Sequence, residues 1–541
     1  MRTRNLSRLD SDEFDLLVVG GGIYGLACAY DAASRGLRVA LVEAGDFGSG
    51  ASFNHQKTAH GGLRSLGGGH LRLAREGIRE RRALARMAPW FLRPLPFLVG
   101  TYRSVVRNRL VLRGAFRFDA WLGRHRNDGV EPELHLPAPR LVSKAATLKL
   151  FAGIKPEGLT GGAQWYDYQM VESDRLTIAF AAAADRAGAE LANYATAAEA
   201  VKDGGRITGM RVRDSISGAT FTVRARVTLN AAGSRAGEIM AMFGVPRPFP
   251  LVKAMNLVTS RAASDMALAA PVAGGRMLTL VPWRGCAIVG TSQSASFVEP
   301  GDTGVSAAEV TALMADANYA FPALHLTPAH VTLVHRGIVP AIAGANNAPE
   351  LKPAPEILDH ASEGAAGAVT VIGVKYTTAR GVAERVTRVV ARRIGKRVGP
   401  SRTATTTLPG AGIADHEALA IEAARDTGLD IPLSTLRHLI SLYADSAPQI
   451  IRLIKERPDL GDPVDAGVAT LGAEIAHVIR NEMAVRLADI VTRRTGLGSA
   501  NRPSPQAVAT CARIAAAELG WDDSRIAAEV AAVDRIYAMG D

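Results

Sequence analysis

Hydrophobic positions first gather near the start of the chain. Leu16, Leu17, Val18 and Val19 form a short uncharged run, the pattern of a strand buried on both faces. Apolar positions continue at helical length over 23–35, and Gly36 stands where a helix C-terminal glycine belongs. A second apolar run covers 37–42 and is closed by Glu43. The first strand and the helix are joined by Gly20, Gly22 and Gly25, spaced G-x-G-x-x-G. Gly20 permits a tight turn, Gly22 lets the backbone approach a pyrophosphate, and Gly25 lets the helix pack close to the sheet. The helix N-terminus offers free N–H groups and about half a positive charge. Glu43, about 20 residues on, can accept hydrogen bonds from a ribose 2′-hydroxyl and would repel the 2′-phosphate of NADP. Strand, glycine turn, helix, strand and acid together predict a dinucleotide site.

Residues 46–70 read as a glycine-rich loop dense in polar groups, among them Asn54, His55, Gln56, Lys57, Thr58, His60 and Arg64. Such density between elements predicts ligand contact. Leu71–Met87 predicts a charged amphipathic helix with a solvated face. Residues 176–187 predict an alanine-rich helix stopped by Gly188, and 190–201 and 223–230 predict strands. Further strand-like runs lie at 278–283, 287–291, 331–334 and 369–372, with a long helix ending at Arg393. After a Thr-rich linker at 401–409 the chain turns to amphipathic helical stretches, including Leu433–Tyr443 and 471–495.

The 541 residues exceed one core and predict two or three domains. A net charge of +11 favours an anionic partner: a phosphorylated substrate, an acidic membrane surface or nucleic acid. No zinc module or RNA-binding signature is present, so nucleic acid is not expected. Cys28, Cys286 and Cys511 are far apart and form no C-x-x-C pair. This fits a reducing cytoplasm and excludes a disulfide framework; no metal site is expected. No apolar run reaches the length of a spanning helix. The N-terminal arginines are followed by Asp10, Asp12, Glu13 and Asp15, unlike a signal peptide. Over 86–126, Trp90, Phe91, Phe97, Tyr102, Phe116, Phe118 and Trp121 are interleaved with nine arginines and a single acid, Asp119. That mixture suits a surface lying among lipid headgroups.

The segments VVGGGIYG, KTAHGGLR, LAREGIRERRALARMAP, VPWRGCAIVGTSQS and HVIRNEMAVRLADIVTRRTGLG resemble the FAD-dependent glycerol-3-phosphate dehydrogenase family. The likeness covers nearly the whole chain, and KTAHGGLR is far more specific than the glycine motif. The resemblance implies an α/β + α fold: a Rossmann-like FAD-binding domain, a mostly antiparallel substrate domain and a C-terminal helical domain. The expected segments are 14–95, 161–240 and 359–400 for the FAD domain, 96–160 facing a membrane, 241–358 for substrate and 401–541 as the helical cap. Expected FAD contacts are Gly20, Gly22, Ile23, Tyr24 and Gly25 at the first turn, with Glu43 and Ala44 beyond it. Ser52, Lys57, Thr58, His60, Gly62 and Leu63 follow in the polar loop. Ala195 passes the adenine, Ala232 and Gly233 form a second glycine turn, and Gly373, Lys375, Tyr376 and Thr377 approach the flavin. The family also implies peripheral attachment to the inner face of the plasma membrane from the cytoplasmic side, and a quinone acceptor. The C-terminal domain reads as a structural cap or a homodimer surface.

Oxidising an alcohol by hydride transfer needs a base for the hydroxyl proton, and a neutral imidazole suits that task. His60 is the first candidate and His55 the second. Arg64 and Lys375 are candidates to grip an anionic substrate and stabilise reduced flavin. Three positions depart from the family pattern: Ser65 for a tyrosine, Asn256 for a histidine, and Val339 for a phosphate-binding arginine. Arg336 lies three residues before Val339, an odd offset that points to the opposite face of an extended chain. The expected reaction is oxidation of the secondary alcohol of glycerol 3-phosphate or a related polyol derivative. An amine or 2-hydroxy-acid oxidase of the same fold, using oxygen, is the competing expectation.

Overall fold

A computed structural model of the chain describes residues 3–62, 70–103, 109–412, 415–426 and 431–539, together with Met1. Its first sheet is built around β1 (Glu13–Val19), which runs parallel to β2 (Val39–Val42) on one side and β10 (Thr220–Asn230) on the other. β7 (Glu190–Ala192) follows β2 and β18 (Ala368–Ile372) follows β10, both parallel; β17 (Glu356–Asp359) closes the edge antiparallel. A hairpin of β8 (Ala195–Asp203) and β9 (Arg206–Asp214) branches antiparallel from β10. Both faces of β1 are covered. Leu16 and Val18 enter a core shared with helices Ile23–Ser34, Ser173–Arg186 and Ala379–Arg393. Leu17 and Val19 enter one shared with the hairpin and helix Ala236–Phe243. Two-sided burial is why the strand reads as unbroken apolar sequence, and each such Val or Leu contributes about 1.5–3 kcal/mol.

The strand expected at 190–201 is two strands. Tyr194, at φ +56°, turns the chain between β7 and β8, and its hydroxyl donates to Asp489 at 2.6 Å.

The second sheet runs in the order β16 (Pro349–Leu351), β15 (Val331–Ala343), β11 (Leu251–Thr259), β14 (Cys286–Gln293), β13 (Met277–Trp283), β12 (Ala267–Pro271), β4 (Leu92–Tyr102), β6 (Leu159–Met170) and β3 (Thr58–Ala59). β5 (Arg140–Val142) also pairs with β6. Its pairings are antiparallel except that of β12 with β4. The expected boundary at 95/96 falls inside β4, whose register with β6 runs from Leu92 opposite Met170 to Thr101 opposite Gly161. Residues 161–170 thereby join the second sheet.

This pairing also corrects the reading of 86–126 as one lipid-facing stretch. Phe91, Phe97 and Phe116 are buried, and the Trp90 indole donates to Ser441 O at 2.8 Å. β4 is an interior strand, so its aromatic residues serve the core. Val111, Phe118 and Trp121, all on helix Arg109–Leu122, remain exposed. No helix among the described residues is long and apolar enough to cross a membrane. Helix Leu71–Met87 likewise buries charge: Glu80 is held by Arg380 at 2.6 and 2.8 Å.

The C-terminal helices, among them Leu433–Tyr443, Gly472–Glu482 and Pro505–Leu519, surround their own core. The stretch 471–495 is not one helix. It breaks at Met483, φ +55°, and the turns beyond carry Asp489, Arg493 and Arg494 to the first sheet.

Candidate cofactor and substrate site

The first glycine turn is closed on one side and open on the other. Gly20 sits at φ +111°, and a Cβ there would lie 2.5 Å from Ala231 O; one on Gly25 would lie 1.8 Å from Gly20 O. Neither position can take a side chain. Among the described residues, a Cβ on Gly22 would meet only Ser52 Oγ at 3.4 Å, and one on Gly233 nothing within 4 Å. The helix N-terminus therefore faces open space where a pyrophosphate fits. Ser52 Oγ accepts the Ile23 N–H at 2.9 Å. The second glycine turn is set by Asn230, whose Oδ1 accepts the Ala232 N–H at 3.2 Å.

Glu43 accepts the Gly21 N–H at 2.5 Å and the Gly45 N–H at 2.7 Å. Burial raises its pKa against these two bonds. A carboxylate has about four lone-pair sites, so acceptor capacity for a ribose remains. Ala44 beside it is exposed. The Ala195 N–H donates to Glu43 O at 2.7 Å, bringing the expected adenine segment to the acid. This donor set and its open glycine edge fit FAD.

The turn 373–378 is pinned to the first helix by Tyr24. The Tyr24 hydroxyl donates to Lys375 O at 2.9 Å and accepts the Val374 and Lys375 N–H groups at 3.2 Å. A Cβ on Gly373 would lie 2.4 Å from the Tyr24 ring. Lys375 is exposed. Tyr376 lies against His55, ring centroids 5.1 Å apart, with its hydroxyl 2.9 Å from Thr177 Oγ1. Thr377 Oγ1 accepts the His60 N–H at 3.2 Å, which joins this turn to the polar loop.

Within the loop the structure separates residues that look alike in sequence. Lys57 is a buried strut whose ammonium is taken up inside the protein. Its ammonium donates to Phe53 O at 2.8 Å and Asp174 at 3.1 Å, and its N–H and C=O are taken by His55 and Met170. His55 is half-buried, and loss of solvent around its ring drives its pKa well down; its Nδ1 accepts the Lys57 N–H at 2.9 Å. His60, by contrast, has a side chain 40% exposed. Its Nε2 lies 2.9 Å from Thr58 Oγ1 and its Nδ1 3.3 Å from Asp167 Oδ2. Gly62, at φ +90°, lies where a Cβ would come within 2.8 Å of Ala74. Leu63, Arg64 and Ser65 lie outside the described residues.

Asp167 escapes the sequence reading, although one carboxylate inside the otherwise uncharged strand β6 must find a partner. Arg81, on the helix after the loop, is that partner.

On β15, Val339 is paired with Val252, and Arg336 with Met255. Gly337, which shares Val339's face, turns toward Ala51 and Asn54. The Arg336 side chain therefore lies on the opposite face, while its N–H donates to Asn54 Oδ1 of the polar loop at 2.9 Å. Asn256 accepts the Thr291 hydroxyl at 2.8 Å and lies across from His335, whose ring is buried without a hydrogen-bond partner among the described residues.

A family profile described as FAD dependent oxidoreductase matches residues 15–389, and one described as the C-terminal domain of alpha-glycerophosphate oxidase matches 401–526. The chain belongs to the FAD-dependent oxidoreductases. Within them it stands with the glycerol-3-phosphate dehydrogenases. It is 32% identical over 536 residues to glycerol-3-phosphate dehydrogenase 2 of Mycobacterium tuberculosis, covering 97% of this chain and 88% of that one. It is 29% identical over 511 residues to glycerol-3-phosphate dehydrogenase of Synechocystis, covering 91% and 90%. The glycerol-3-phosphate dehydrogenase of Bacillus halodurans, solved with FAD, shares the fold with a TM-score of 0.77 at 23% identity, covering 99% of this chain and 96% of that one.

Proposed function

We propose that the protein oxidises the secondary alcohol of glycerol 3-phosphate or a related polyol derivative, with electrons passed on to a quinone. The reading rests on His60, a half-exposed imidazole between Thr58 and Asp167, joined through its backbone to the turn 373–378. An alcohol that loses hydride must also lose its hydroxyl proton, and a placed base is worth about 10²–10⁴-fold. FAD, when bound, supplies the hydride acceptor. Lys375, and Arg64 by family likeness, grip an anionic substrate. The N-terminus of helix Ala379–Arg393 favours negative charge nearby.

Val339 presents no charge on the sheet face turned to the polar loop, and Arg336 points elsewhere. A missing charge-assisted contact costs about 1.5–3 kcal/mol. Affinity for glycerol 3-phosphate is then one to two orders of magnitude below that of a site with an arginine there, which favours a related polyol derivative.

Membrane attachment through helix Arg109–Leu122 is part of the same proposal. Val111, Phe118 and Trp121 are exposed there beside Arg113, Arg117 and Arg124. Each basic residue near an anionic leaflet contributes about 1 kcal/mol. The test of substrate is anaerobic: polyols and polyol phosphates are added to the purified yellow protein, and bleaching of the flavin identifies the donor. No bleaching by any of them, with peroxide released from amines or 2-hydroxy acids in air, would overturn the reading.

A further inference from the structure

We propose that Asp167 is a positioning residue that sets the tautomer of His60 and leaves Nε2 as the proton acceptor; this rests on the reading of His60 as the base. The two carboxylate oxygens of Asp167 have different tasks. Oδ1 accepts the Gly61 N–H at 2.7 Å and a guanidinium N–H of Arg81. Oδ2 accepts the Trp165 indole N–H at 3.3 Å and faces His60 Nδ1 at 3.3 Å. Arg81 is itself fixed by a bond to Tyr166 O at 2.9 Å. Burial works against the charge on Asp167, yet Arg81 and His60 hold its pKa below the ordinary carboxylate range. An ionised carboxylate only accepts, so the nitrogen facing it carries the proton. Nδ1 is then N–H, and the lone pair lies on Nε2, where the Thr58 hydroxyl meets it at 2.9 Å. Phe97 lies 5.8 Å from the His60 ring and stacks on Trp165 at 5.3 Å, which limits ring rotation.

In the step itself, the Thr58 hydroxyl turns away from Nε2, the substrate O–H bond breaks and a bond from Nε2 to that proton forms. Asp167 keeps its charge and takes no proton. The charged groups around the pair are Arg81, with Asp119 and Arg126 behind it, while His55 on the other side is held neutral by burial.

The test is ¹⁵N-histidine NMR with single-turnover flavin reduction on the same preparations, the His60 signals being assigned with His60→Asn. Wild type should show a protonated Nδ1 and an unprotonated Nε2. Asp167→Asn must offer its amide oxygen to Gly61 and Arg81, which turns its NH₂ toward Nδ1 and reverses the tautomer. Flavin reduction should then fall by about 100-fold or more and leave half-saturation by substrate nearly unmoved. A wild-type spectrum with the proton on Nε2 overturns the proposal, even if Asp167→Asn fails to fold. So does an unchanged tautomer in Asp167→Asn. A reversed tautomer with an unchanged rate would leave the positioning intact and remove His60 as the base.

Discussion

Asp46 and Arg494 stand 448 residues apart in sequence and meet wholly buried, with guanidinium nitrogens 2.8 and 2.7 Å from the two carboxylate oxygens. Arg493 adds a bond of 2.7 Å, and Asn193 one of 3.1 Å. Asp46 follows Glu43 by one short turn, so the C-terminal helices are fastened to the ribose end of the dinucleotide cradle.

Asp46→Asn takes from the buried Arg494 guanidinium its two-point partner and leaves it Glu482 at 3.9 Å, a change that costs up to about 3–5 kcal/mol. Thermal melting should shift down sharply, and the purified variant should carry less flavin. The pair also sets a response to acid. Burial pushes the Asp46 carboxyl up, but Arg494 and Arg493 overcome that and hold it at about 2. Its folded value lies below the unfolded value of about 3.9. The stabilisation is therefore complete above about pH 4 and is lost as pH falls toward 2. Melting curves across that window should show the loss in wild type and a weaker slope in Asp46→Asn.

Gly25→Ala and Gly22→Ala should fail differently. The added methyl at Gly25 would lie 1.8 Å from Gly20 O, backbone against backbone, whereas at Gly22 it meets only Ser52 Oγ at 3.4 Å. Gly25→Ala should lose both folded yield and flavin. Gly22→Ala should keep the melting temperature of apoprotein and lose flavin affinity. Flavin absorbance per protein and calorimetry of apoprotein separate the two.

Val339→Arg should return a cation to the sheet face near the polar loop. Half-saturation by glycerol 3-phosphate in anaerobic flavin reduction should improve by about one to two orders of magnitude. Uncharged polyols should gain nothing.

Phe118→Ala with Trp121→Ala removes two exposed aromatic side chains from helix Arg109–Leu122. Flotation with anionic liposomes should fall, and wild-type binding should weaken with salt. Soluble-enzyme turnover with a dye acceptor should not change.

The parts legible in sequence are local ones. Gly25 announces a turn because its constraint comes from Gly20, five residues before it, and Leu16 to Val19 announce a two-faced strand; the collision that Gly20 avoids, with Ala231, is a distant one that sequence does not show. The even–odd rule put Arg336 on the far side from Val339, and the β15–β11 register agrees. What sequence does not carry is partnership over distance. Lys57 reads as a loop cation beside His60, yet its ammonium reaches Asp174, a residue 117 positions on. Asp167 reads as one polar residue in a strand until Arg81 and His60 converge on it. Phe97 reads as a lipid-facing aromatic because its strand partner β6 lies beyond a long insertion.

The most direct measurement is the anaerobic rate at which the alcohol substrate bleaches bound flavin in wild type and in His60→Asn. With flavin content and substrate binding preserved, the account predicts a fall of about 10²–10⁴-fold in that rate. A near-normal rate in His60→Asn would contradict it.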